Sequence, residues 1–281
     1  MILFLKKECL MENQLSRPDN NNSLFGLPIN IKSISKTYHT EQKETLAISS
    51  IDLSINSGEF IAIVGPSGCG KSTLLKMIAG LIKPSSGEIL IGSDTVNGPV
   101  TKLGIVFQSP VLLDWYNVLD NVLVQISLRG EDISVYKSSA IQLLDKVGLS
   151  DFCKVMPREL SGGMRQRVAI VRALIHKPPL LLMDEPFGAL DALTREQMRI
   201  DLEKLWMTQR QTTIFVTHGI SEAVALADRI VVMTPRPGHI DKVIEVDLPR
   251  PRNQEILSSK TFNDICNEIT ASFLKHGVIK Y

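Results

Sequence analysis

The stretch Gly65-Pro66-Ser67-Gly68-Cys69-Gly70-Lys71-Ser72-Thr73 has the residue types and spacing to hold phosphate. It fits Gly-x-x-x-x-Gly-Lys-Ser/Thr, in which glycines let the backbone curl until several amide N–H groups point at one anion. A helix beginning there adds the positive end of its dipole. Lys71 has the reach for the β- and γ-phosphates of ATP, and the Ser72 hydroxyl is a ligand for Mg²⁺. Such a loop also needs an acid to help hold the metal and a base to activate water. The apolar run Leu180-Leu181-Leu182-Met183 ends in Asp184-Glu185, and ligands of open α/β sheets bind at the carboxyl ends of strands. Asp184 is then expected to hold Mg²⁺ through water, and Glu185 to be the general base for hydrolysis.

The surrounding pattern supplies elements to position these groups. Phe60-Ile61-Ala62-Ile63-Val64 is a near-continuous apolar strand of the buried type, and Leu74, Leu75, Ile78 and Ala79 follow at helical spacing. Further strands are expected at 29–34, 47–55, 103–107, 180–183, 212–217 and 229–233. Helices are expected at 118–128, 135–147 and 162–176. Thr194-Arg195-Glu196-Gln197 reads as a capping box for a helix carrying Met198, Leu202 and Leu205. The alternation predicts an α/β core with a mainly parallel sheet. Residues 1–27 are polar and Asn-rich, and are expected to be a flexible tail. Residues 251–281 form a C-terminal extension with one amphipathic helix, marked by Ile265, Ile269 and Phe273.

Leu160-Ser161-Gly162-Gly163-Met164-Arg165-Gln166-Arg167 places Ser161, Gly162 and Gly163 at a helix start, where unpaired amides can cap an anion. One chain already has one loop for one γ-phosphate. A second cap outside it suggests service to a different nucleotide. With these motifs in order, the sequence resembles the ATP-binding subunit of an ABC transporter from about residue 29 to 251. The resemblance implies a P-loop NTPase core of RecA type over residues 28–250, with an antiparallel β part and a helical signature subdomain at about 109–165. It also implies a homodimer in which each signature closes over ATP held by the partner subunit. Tyr38 then stacks on adenine, Gln108 senses Mg²⁺ and the γ-phosphate, Asp191 in Ala189-Leu190-Asp191 crosses the dimer interface, and His218 is the switch histidine. His39, His176 and His239 match no comparable motif.

The segments Tyr116 to Val122, Thr234 to Gly238 and Asp247 to Arg252 resemble the nitrate/sulfonate/taurine importer subgroup. Asp114 departs from it, since many relatives there carry Pro, and members also serve vitamin precursors such as hydroxymethylpyrimidine. The implied partners are transmembrane permease subunits, for which Ser109 to Trp115 lines a docking groove, and an extracytoplasmic substrate-binding protein. The implied location is the cytoplasmic face of the inner membrane. A soluble ABC ATPase acting on DNA or ribosomes and an exporter or lipid-transport subunit are the competing readings.

Composition narrows these readings. The 281 residues carry 31 basic and 30 acidic side chains, a formal net charge of +1, which gives no support to a nucleic-acid partner. No run of 18 apolar residues exists. The opening Met1-Ile2-Leu3-Phe4-Leu5-Lys6-Lys7 has its charges after a short apolar run, the reverse of a secretory signal, and Met11 is an alternative start. The four cysteines Cys9, Cys69, Cys153 and Cys266 are scattered, as suits a reducing compartment. Cys69, inside the phosphate loop, reads as a small tolerated side chain, with a redox-sensitive thiol as the alternative.

Overall fold

The computed structural model describes residues 26–40, 43–188 and 190–279. The tail expected at 1–27 falls almost wholly outside the described residues, as do Cys9 and Ala189. Ten strands and eight α-helices are found among the described residues. The strands are β1 (Ile29–Thr40), β2 (Lys43–Ile55), β3 (Phe60–Val64), β4 (Ser86–Ile91), β5 (Asp94–Thr95), β6 (Leu103–Val106), β7 (Leu180–Asp184), β8 (Thr212–Thr217), β9 (Arg229–Met233) and β10 (Ile240–Glu245). The helices are α1 (Lys71–Ile78), α2 (Val118–Leu128), α3 (Ile133–Lys146), α4 (Gly162–Leu174), α5 (Ala192–Gln209), α6 (Ile220–Leu226), α7 (Gln254–Leu257) and α8 (Lys260–Lys275).

Two sheets share the work. The six-stranded sheet runs β10-β9-β3-β8-β7-β6, parallel throughout except for β10, which is antiparallel to β9. Its central strands are apolar on both faces because both faces are covered: every residue of β3, β7 and β8 is buried. The second sheet, β2-β1-β4-β5, is antiparallel, so the expected antiparallel β part is present. Strands β4, β5 and β10 were not anticipated, and β1 and β2 run further toward each other than their apolar stretches suggest. At those ends His39, Lys43 and Glu44 are exposed, so pairing rather than burial defines the strands there.

Helices α2, α3 and α4 pack on one another and join the core through Val122, Ile126, Leu144, Val168 and Val171. The capping box expected at Thr194 does not form. Asp191 is the cap, its Oδ1 accepting the Thr194 N–H at 3.0 Å, and helix α5 starts at Ala192. Asp caps at least as well as Thr, and Ala-Leu-Thr offers no obstacle to one more turn. At the chain's end α8 lays Phe262, Ile265, Ile269 and Phe273 into the same core, against α6.

Candidate nucleotide site

Sheet register brings the chemistry to one edge. Val64 pairs with Thr217, Asp184 with Val216, and Val106 with Met183. The loops that leave β3, β6, β7 and β8 therefore emerge side by side at the strands' carboxyl ends. They carry Gly65, Gln108, Glu185 and His218 respectively.

A cavity of about 410 Å³ opens there, within the usual range for a small-molecule site. Ser67, Gly68, Gly70, Lys71, Ser72 and Thr73 form its floor, Gln108 and Glu185 stand at one side, and Tyr38 at another. The loop geometry depends on glycine. Gly70 has φ 107°, and a Cβ on it would lie 2.7 Å from Ile48 Cγ1. Lys71 is buried and donates from Nζ to the carbonyls of Gly65, at 2.9 Å, and Pro66, at 3.1 Å. Cys69 is packed inside the loop and is buried. Burial pushes its thiol pKa up, against the opposing pull of Lys71. A thiol so placed is a structural one, which favours the small-side-chain reading.

Two couplings lie at the far side of the loop. Ser72 Oγ donates to Asp184 Oδ1 at 2.9 Å. Burial pushes the Asp184 carboxyl above its ordinary range, with the Ser72 hydroxyl pulling the other way. Next to it, Glu185 Oε2 accepts from Gln108 Nε2 at 3.3 Å and meets His218 Nδ1 at 3.3 Å. Glu185 has φ 44°, left-handed for a non-glycine residue, and its N–H donates to Val216 O at 2.8 Å. That backbone bond turns the carboxylate out of the sheet toward the cavity, at a cost of about 1 kcal/mol.

The donor set fits a magnesium nucleotide. A hydroxyl and a buried carboxylate, adjacent and half-satisfied, are hard oxygen ligands, and a divalent cation offsets the burial cost of Asp184. Among the described residues no cluster of three or more His, Cys, Asp or Glu side chains is placed to hold a metal by itself. The remaining ligands would come from phosphate and water, as is usual for Mg²⁺.

Other expected site residues stand apart. Ser161, Gly162, Gly163 and Asp191 line no part of this cavity. Ser161 and Gly162 are exposed, with Ser161 Oγ accepting the Met164 N–H at 3.2 Å as the cap of α4. Asp191 is exposed too, and its bonds to Thr194 hold its carboxyl below the ordinary range. Arg236, missed from sequence as a site residue, lines the cavity and donates to Gly68 O from Nη2 at 3.2 Å. It lies in the Thr234 to Gly238 segment, which drew notice only through the subgroup resemblance.

Fold and site together define a P-loop nucleotide hydrolase. Residues 48–188 match the ABC transporter family, and the chain belongs to it. The aliphatic sulfonates import ATP-binding protein SsuB of Bacillus cereus is 41% identical over 90% of this chain and 99% of its own length. The corresponding SsuB 2 of Pseudomonas fluorescens is 45% identical over 82% of this chain and 81% of its own. Among solved structures, the dimer of a bacterial ABC transporter cassette superposes with a TM-score of 0.70 at 34% identity, covering 78% of this chain and 98% of that one. A dimeric post-hydrolysis state of an ATP-binding cassette bound to ADP and Pi gives a TM-score of 0.68 at 33% identity over the same shares. The chain is an ATP-hydrolysing ABC cassette.

Proposed function

We propose that this cassette works as a head-to-tail homodimer and energises a membrane importer of a small anionic solute of the sulfonate type. The observation that carries the site's chemistry is the meeting of Gln108, Glu185 and His218 around one carboxylate, beside the Ser72–Asp184 pair.

Amides of Gly65 to Thr73 and the start of α1 bind the phosphates of ATP, and Lys71 exchanges its two loop carbonyls for phosphate oxygens. Tyr38 supports the adenine. Mg²⁺, when bound at Ser72, Asp184 and Gln108, neutralises charge that builds on the phosphate oxygens. Glu185 takes a proton from the attacking water, and His218 and Gln108 hold that carboxylate and the γ-phosphate end of the site in place. The exposed Ser161 and Gly162, with the half-buried Gly163, serve ATP held by the other copy, with Asp191 at the same interface. The dimeric state of both solved relatives supports this arrangement. ATP favours the closed dimer, and hydrolysis removes that preference.

No helix among the described residues is long and apolar enough to cross a membrane; in this reading the solute passes through separate permease subunits. An apolar groove of about 330 Å³, lined by Leu81, Leu103, Phe107 and Leu128, offers them a seat. Leu128, in this groove, is 82% exposed; Ser109 to Trp115, expected to line the docking groove, lie outside its lining, with Trp115 70% exposed. The similarity to aliphatic sulfonates import ATP-binding proteins supports import, and an extracytoplasmic binding protein and a place on the cytoplasmic face of the inner membrane complete the proposal. Labelled alkanesulfonate uptake in cells carrying this chain with its permease tests the solute class. Uptake of sulfonate supports the reading, and uptake of hydroxymethylpyrimidine alone replaces it with the vitamin-precursor alternative.

A further inference from the structure

His218 is exposed, so packing does not hold its ring against Glu185. The turn beneath it is what is fixed. Thr217 Oγ1 accepts the Gly219 N–H at 2.9 Å and donates to Glu222 Oε2 at 2.6 Å. Glu222 lies in the first turn of α6 with its side chain only 14% exposed. Its other oxygen, Oε1, faces Arg195 Nε at 3.5 Å. Arg195 in turn donates from Nη2 to the carbonyl of Leu190 at 2.9 Å, directly before Asp191. The fit at the turn is close: a Cβ on Gly219 would lie 2.8 Å from Glu222 Cδ.

An acid in a first helical turn is favourable to the dipole wherever it points. That alone calls for a Glu facing solvent. A carboxylate withdrawn from water needs partners, and the two that Glu222 has lead to the two ends of the site. One is the hydroxyl that shapes the His218 turn, and the other is the guanidinium that holds the loop before α5. That loop also meets the signature turn, since a Cβ on Gly163 would lie 3.4 Å from Leu190 Cδ2.

We propose that Glu222 is a positioning residue for His218, and that Arg195 ties its carboxylate to the Leu190–Asp191 loop. This rests on the reading that His218 serves the hydrolytic site. The His218 ring then stands at Glu185 only while the start of α5 is in place, so one chain's signature side and its own hydrolytic side are mechanically joined.

The test is steady-state ATP turnover by the full chain, with melting temperature recorded for each variant. Glu222→Ala lowers kcat by roughly tenfold to a hundredfold while KM for ATP stays within about twofold, because the nucleotide-binding side chains lie on other elements. Glu222→Gln keeps an acceptor for Thr217 and restores most of kcat. Gly219 has φ −84°, so Gly219→Ala adds no backbone strain and displaces the carboxylate without changing charge. It lowers kcat too, and adding Glu222→Ala to it brings no further loss. The proposal is overturned if Glu222→Ala turns over at the wild-type rate. It is also overturned if KM rises and the melting temperature drops together with the loss of kcat, if Gln is no better than Ala, or if the Gly219 and Glu222 losses add. Turnover that survives His218→Ala overturns instead the reading on which the proposal rests.

Discussion

The Ser72 hydroxyl donates to Asp184 Oδ1 at 2.9 Å, which joins the first turn of α1 to the last residue of β7. Asp184 has its folded pKa raised above the ordinary 3.8, chiefly by burial. The protonated form is therefore favoured by folding. That contribution is complete below the ordinary value and is lost as pH rises through the raised one. At neutral pH the ionised carboxylate weighs against the metal-free fold. Asp184→Asn should raise the melting temperature of the nucleotide-free chain at neutral pH, with the gain vanishing in acid, where Asp184 is itself protonated. The same variant should lose the extra stabilisation that Mg²⁺ adds to ATP. Thermal melts across pH, with and without Mg²⁺ and ATP, read both effects.

Cys69 is expected to be inert. It is buried against Gly65 and Gly238, and burial raises its thiol pKa. Maleimide labelling followed by peptide mapping should leave Cys69 unmodified in the native chain and label it after unfolding. Cys69→Ala should retain most ATP turnover. Rapid native labelling of Cys69 with loss of activity would restore the redox reading.

How much of this was legible in sequence depends on the range of each interaction. The phosphate loop, β3, β7 and the acids Asp184 and Glu185 were readable because strand, loop and chemistry are contiguous. Helix α2 was placed residue for residue, since its apolar spacing and its Asn117 cap agree. Strands β4 and β10 were not, because their burial is partial and pairing defines them, β4 with the distant β1 and β10 with the adjacent β9. The cap of α5 was misplaced because two good caps, Asp191 and Thr194, lie within one turn. Glu222, Arg195 and Arg236 carry no spacing signal at all. The Arg195–Glu222 and Arg236–Gly68 contacts join residues 27 and 168 positions apart, and only the fold brings them together.

Tyr38 stands 40% exposed at the cavity, with its hydroxyl 3.3 Å from Thr73 Oγ1. An aromatic left so open is positioned for a ring ligand more than for core packing. Tyr38→Ala should raise KM for ATP roughly twofold to tenfold, the equivalent of about 0.5–1.5 kcal/mol of ring contact, with kcat little changed. Tyr38→Phe should behave as wild type. A Tyr38→Ala chain with unaltered KM removes Tyr38 from the site.

Arg252 ties the C-terminal segment to the core. It is 2% exposed, its pKa is lowered to about 10 by burial, and its guanidinium donates to the carbonyls of Val224, Ala227, Val246 and Leu248. Glu203 accepts its backbone N–H at 3.1 Å. Arg252→Leu strands several buried acceptors, so it should cost roughly 2–4 kcal/mol in urea denaturation. ATP turnover at low temperature should persist, since Arg252 lies outside the nucleotide cavity.

Glu185 is proposed as the base, held by Gln108 and His218 beside a bound magnesium nucleotide. Glu185→Gln keeps the side chain's size and removes its basicity. Measured together, ATP hydrolysis should fall roughly a hundredfold to ten-thousandfold while ATP affinity stays within about twofold. The variant should also accumulate as a dimer when ATP is added. Hydrolysis by Glu185→Gln at the wild-type rate would contradict the account.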